Sequence, residues 1–217
     1  RAAKDAATSG HTTDMQNFLP HLQAMMERYP DNVWFRQSLV KFFAGLGRHA
    51  EARQHAILFA REKSREFWAW DLLGDLQESP ELRLACYCKG LLCPSDEAFV
   101  GRLRLKLAHQ LKVMEQFSEA RCEIETVVSH REKSGYRIPK EADRLIAESW
   151  YAETTRTLTN KELYFQRAKK ADELLFSDLN WIDACVGDSF VLDGDSRNRR
   201  WRIYIPDQPI PQEISIP

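Results

Sequence analysis

The sequence predicts an all-α fold, a solenoid of antiparallel helical hairpins that ends in a short β segment. Two observations carry that reading. Apolar and small residues recur at a spacing of 34 along much of the chain, and from Trp181 the pattern changes to strand-like runs punctuated by Gly and Pro. A fixed period of this length marks stacked repeats, each of which buries its apolar face only against its neighbours.

The register is visible column by column. Leu39, Leu73 and Leu107 stand 34 apart, as do Ala52, Cys86 and Ala120. Phe59, Cys93 and Val127 form a further apolar column, and Ala56, Gly90 and Ile124 a mostly small one. Small residues recur where two helices cross closely, because a larger side chain there would hold the backbones apart. Three ungapped repeats follow: 33–66, 67–100 and 101–134.

The elements follow in order. Residues 1–32 read as a partial repeat. Its first twelve residues are small and polar, and 14–29 is a helix with Phe18, Leu22, Met25 and Met26 on one face. Tyr29-Pro30-Asp31-Asn32 turns the chain, and Asp or Asn caps the next helix. The first repeat has helices over 33–45 and 48–62, reversed at Gly45-Leu46-Gly47. The second has helices over 66–77 and 81–92 around Glu78-Ser79-Pro80. The third has helices over 96–113 and 117–133. Residues 135–180 hold a diverged hairpin, with helices at 140–157 and 161–176, which is expected to cap the stack. Residues 181–217 carry strands over 183–192 and 201–205 and a third near 213–216, either as a β-hairpin or as the start of an OB-like domain.

Trp70, Leu73 and Gly74 match the opening W-x2-L-G of the tetratricopeptide (TPR) signature. With the 34-residue register they make residues 33–134 resemble the TPR superfamily. Val40 departs from that pattern where a small residue is usual, as does Gln77 in the column of Phe43 and Leu111. A narrower likeness rests on Ser149-Trp150-Tyr151 and on Ala171-Asp172-Glu173-Leu174-Leu175-Phe176, followed by a β segment with Trp181, Val186 and Phe190. That order is similar to bacterial conflict-system proteins that join TPR-like repeats to a cold-shock-like OB barrel, and it implies a defence role.

The TPR resemblance implies a protein or peptide ligand on the concave face built by the first helix of each repeat. The outward positions there are Trp34, Gln37 and Lys41, then Trp68, Asp71 and Asp75, then Arg102, Leu105, His109 and Lys112. Two Trp at one repeat position are candidate anchors, since exposed aromatics dominate binding hot spots. The competing reading packs both Trp between neighbouring repeats. Lys and Asn positions of the known clamp for acidic chaperone tails fall here on Gln37 and Lys41, so that specificity is not expected.

A net charge of −1 provides no global field for nucleic acid, and no run approaches the length of a membrane span. One basic–aromatic cluster stands out: Arg197, Arg199, Arg200, Trp201, Arg202 and Tyr204. Its arginines can neutralise phosphates of RNA or DNA, and its rings can stack on bases. In a strand, Trp201, Ile203 and Ile205 share one face and Arg200, Arg202 and Tyr204 the other. The competing reading is a solvated hairpin with Asp–Arg pairs.

Cys86, Cys88 and Cys93 lie within helical patterns and lack the paired spacing of a zinc site, so they read as packing residues. No metal or cofactor is expected. The five cysteines fit a reducing, cytoplasmic setting better than a disulfide framework. No phosphate loop, metalloprotease helix or nucleophile elbow is present, so a non-catalytic scaffold is expected rather than an enzyme.

Overall fold

The structure is a computed structural model that describes residues 12–180, 182–191, 199–206 and 208–214. Ten helices and three strands lie among these residues. They are α1 (Thr12–Arg28), α2 (Val33–Gly45), α3 (His49–Glu62), α4 (Phe67–Asp75), α5 (Pro80–Leu92), α6 (Glu97–Val113), α7 (Phe117–Lys133), α8 (Lys140–Ile146), α9 (Ser149–Glu153) and α10 (Lys161–Leu175), then β1 (Cys185–Val191), β2 (Arg199–Tyr204) and β3 (Gln212–Ile214). The chain divides into two compact units after Phe176.

In the helical unit, α2 packs on α3, α4 on α5 and α6 on α7, and adjoining pairs stack through α3 against α4 and α5 against α6. The first helix of each pair is called its A helix and the second its B helix. The repeating columns are the packing columns. Leu39, Leu73 and Leu107 are buried, as are Ala52, Cys86 and Ala120. A Cβ on Gly74 would lie 2.5 Å from Cε1 of Tyr87, and one on Gly90 would lie 2.9 Å from Cδ2 of Leu103. Both glycines therefore sit where a side chain cannot fit without repacking. Val40, the large residue in the Gly74 column, is fully buried between α2 and its neighbours. Gln77, the polar departure, is buried but donates Nε2 to the Leu73 carbonyl at 3.1 Å, so the burial leaves that donor satisfied.

The turns share one chemistry. After α2 the amide of Arg48 reaches back to the carbonyl of Phe43 at 2.8 Å, with Gly47 at φ +74°. After α6 the amide of Gln116 reaches Leu111 at 2.9 Å, with Glu115 at φ +58° in the same register position. After α7 Tyr136 reaches Arg131 at 2.8 Å across Gly135 at φ +68°. Each is the left-handed helix stop in which an amide bonds the carbonyl five residues back along the chain.

Three features depart from the sequence reading. The helix expected over 140–157 is two short helices, α8 and α9, broken at Ala147 and Glu148. They pack on α7, with α8 also against α6. The second helix of the expected capping hairpin, α10, pairs with neither. It lies along α5 and reaches α3, so it covers the B helices instead of extending the stack. Finally, α1 continues through Pro20 and packs on α2, with Leu22 buried but Phe18 and Met25 exposed. Phe18 nevertheless stacks on Phe42 at 5.6 Å.

A buried polar network anchors α10. Arg104 Nη1 donates to Glu123 at 2.7 Å and to the Tyr164 hydroxyl at 3.0 Å, while its Nη2 donates to Glu97 at 2.6 Å. Asn160 Nδ2 donates to the second Glu123 oxygen at 2.6 Å and to the Glu119 carbonyl at 2.9 Å, and Tyr164 hydrogen-bonds that same oxygen. Lys89 pairs with Asp172 at 2.8 Å farther along the helix. Apolar contacts complete the seam, with Tyr164 against Leu84 and Cys88, and Ala171 and Leu175 against Ala85 and Cys86.

The C-terminal unit is an antiparallel sheet of order β1-β2-β3. Ser189 pairs with Trp201 and Val186 with Ile203, with a bulge between them, and Trp201 pairs with Ile214. A Cβ on Gly187 would lie 2.7 Å from the Tyr204 ring, so the bulge needs glycine where the ring crosses it.

Candidate partner-binding face

The flank of α2, α4 and α6 carries the expected groove residues other than Leu105. Trp34 and Trp68 stack with ring centroids 5.4 Å apart and planes at 25°. Trp34 is 52% exposed, whereas Trp68 is half-buried and also meets Phe59 at 5.6 Å. The pair is therefore neither wholly packed nor wholly free. Arg102 occupies the third position of their column and is exposed. Lys41 is exposed and donates to Gln37 at 3.2 Å.

The centre of the flank is charged and internally paired. Lys106 Nζ reaches Asp71 at 2.5 Å and Asp75 at 2.6 and 2.7 Å, tying α6 to α4. Tyr87 donates to Asp75 at 2.9 Å. Burial raises the Asp71 carboxyl above its ordinary pKa, an effect that the Lys106 ammonium opposes. Lys106 was not singled out in the sequence. It lies in the column of Ser38 and Leu72, so nothing in the register marks it as the partner of two aspartates.

At the α8 end, Lys112 is committed to Glu148 at 3.0 Å, and Trp150 donates to the same carboxylate at 2.7 Å. These two donors hold the Glu148 carboxyl below its usual range. His109 stays exposed beside them. Leu105 is not on this surface. It is buried among Ala108, Ile124, Ala142 and Leu145, because α8 packs over that part of α6.

The cysteines are all free. Burial pushes the Cys86 thiol up to about 12 and Cys93 up to about 11, so neither is thiolate near neutrality. Among the described residues no group of three His, Cys, Asp or Glu side chains is placed to hold a metal ion. None of the helices is long and apolar enough to cross a membrane.

On the sheet, the register puts Arg200, Arg202, Tyr204 and Phe190 on one face and Val186, Trp201, Ile203 and Ile214 on the other. Arg200 pairs with Glu213 at 3.5 Å, and the Arg202 guanidinium sits 4.9 Å from the Phe190 centroid. Arg199 and Tyr204 are exposed. Arg197 and Trp181 lie outside the described residues.

Residues 33–171 match the model of a domain of unknown function, DUF7017. The chain belongs to the DUF7017 family. Its helical architecture is also similar to a solved structure titled "Crystal structure of MamA", a TPR-like protein, at 15% identity and a TM-score of 0.52. That alignment covers 80% of the DUF7017 chain and 95% of the other. At this identity the likeness shows the fold, a TPR-like helical repeat, and no more. No curated protein matches the DUF7017 chain.

Proposed function

We propose that this DUF7017 chain is a non-catalytic helical-repeat scaffold that binds a protein or peptide along the outward flank of α2, α4 and α6. The observation behind the reading is the placement of α10. That helix covers the B side, while the A side keeps Trp34, Lys41, Asp75, Arg102 and His109 at the surface. A half-exposed Trp backed by a second Trp makes a rigid apolar anchor at low entropic cost. The test is affinity capture with wild type, with Trp34→Ala plus His109→Ala, and with Lys169→Ala plus Lys170→Ala on the exposed side of α10. Loss of the same partners from the first variant alone is the expected result. Equal capture by all three overturns the reading.

A second reading concerns the sheet. Its Arg200–Arg202–Tyr204 face has the composition of a single-strand platform, with an apolar face on the opposite side. It is the nucleic-acid role that the resemblance to conflict-system proteins implies. A salt-dependent gel shift lost in Arg200→Ala plus Arg202→Ala supports it; an unchanged shift removes it.

A further inference from the structure

A cleft of about 590 Å³ opens between the end of α1, the start of α2 and the end of α3. Its walls hold two aromatic rings and two cations. Tyr29 is 45% and Trp34 52% exposed. The Arg28 guanidinium lies 5.5 Å from the Tyr29 centroid, and the Lys63 ammonium lies 5.9 Å from the Trp34 centroid. Arg28 comes from the last turn of α1, Trp34 from the first turn of α2 and Lys63 from the residue that ends α3. Three separate elements therefore aim charge and ring at one opening.

Among the described residues some cations of the helical unit are ion-paired and others, Arg102, Lys169 and Lys170 included, are not; this cleft gathers two of the second kind beside two exposed rings. Arg36, Arg48, Arg53, Arg104 and Lys106 each have a carboxylate partner. Arg28 and Lys63 have none among the described residues, although Asp31 lines the same cleft. Asn32 uses its Oδ1 to accept from the Trp34 amide at 3.1 Å, which leaves its Nδ2 hydrogens free to donate. A ligand that fits this set carries an anionic group for the two cations and a flat ring for the exposed aromatics. It also carries hydroxyl or amino hydrogens for Asp31 and an acceptor for Asn32. The volume falls within the range of small-molecule sites.

We infer that this cleft binds a phosphorylated nucleoside, with its base stacked on Tyr29 or Trp34 and its phosphate on Arg28 and Lys63. The same chemistry is offered by a free nucleotide and by the end of a single strand. Trp34 is the one residue this site shares with the peptide-binding flank, and the charge variants below do not touch that flank.

The test is titration calorimetry of the whole chain with adenosine 5′-monophosphate, with adenosine, with a 5′-phosphorylated pentanucleotide and with a phosphotyrosine peptide. The nucleotide is expected to bind at least about 10-fold more tightly than the nucleoside, because phosphate contacts supply most of such affinity. Arg28→Ala plus Lys63→Ala removes that difference, and Trp34→Ala weakens binding about 10-fold through lost stacking. Two phosphate contacts also give the pentanucleotide a salt slope of about −1.4, which the double variant flattens. Tighter binding of the pentanucleotide assigns the site to single strands; equal or weaker binding assigns it to free nucleotides. Equal affinity for nucleotide and nucleoside overturns the inference. So does indifference to both variants, or tightest binding of the phosphotyrosine peptide.

Discussion

Trp34 stacks on Trp68 at 5.4 Å, and the two residues are one 34-residue repeat apart. The stack is thus a bond between successive repeats as well as a surface feature. The half-buried Trp68 also touches Phe59, while Trp34 keeps half of its surface in water. Trp68→Ala is expected to cost about 2–3 kcal/mol and Trp34→Ala about 1 kcal/mol, from lost burial and one aromatic pair. Urea denaturation of the two variants measures the asymmetry. Equal losses would show that the stack is not organised as described.

Glu123 is 1% exposed and carries the network that holds α10. Removing one partner of a buried ion pair leaves the other charge uncompensated, at about 3–5 kcal/mol. Glu123→Ala should reach that range, moderated because Arg104 retains Glu97. Tyr164→Phe removes one hydroxyl from the network and should cost about 1–2 kcal/mol. Hydrogen exchange should show faster exchange across 161–175 in both variants, ahead of α4 and α6. Uniform acceleration across all helices would contradict a separable α10.

Gly74 and Gly101 are both helical and buried, yet they predict opposite outcomes. A Cβ on Gly74 would meet the Tyr87 ring at 2.5 Å, so Gly74→Ala forces repacking at about 1–3 kcal/mol. A Cβ on Gly101 would find its nearest neighbours at 4.0 Å. Gly101→Ala should therefore stabilise by up to about 1 kcal/mol through helix propensity. Thermal melts of the two variants should move in opposite directions.

His55 stacks on Phe43 at 5.4 Å, and burial, with Arg36 nearby, lowers its pKa from the ordinary 6.5. Glu51 pulls weakly the other way. With a lowered folded pKa, the unfolded chain takes up the proton first. The stability is then fully present above pH 6.5 and is lost as pH falls through the folded value. Urea midpoints measured from pH 7.5 down to 5 should fall for wild type and fall less for His55→Phe. Parallel curves would assign the acid sensitivity to other groups.

The sequence by itself determined the repeating part of the fold. The Leu39, Leu73 and Leu107 column and the small Ala52, Cys86 and Ala120 column record contacts between helices adjacent in the chain. Such contacts recur at a fixed offset, so spacing alone reveals them. Alternation likewise revealed the two faces of β2. Tertiary structure decided what has no periodic signature. Leu105 is buried because α8 packs on α6, and Lys106 faces two aspartates across a repeat boundary. The destination of α10 rests on Glu123, Asn160 and Tyr164, single residues of separate segments whose meeting no offset encodes. The cleft of Arg28, Trp34 and Lys63 is similar, since three helix ends must converge before its charges can act together.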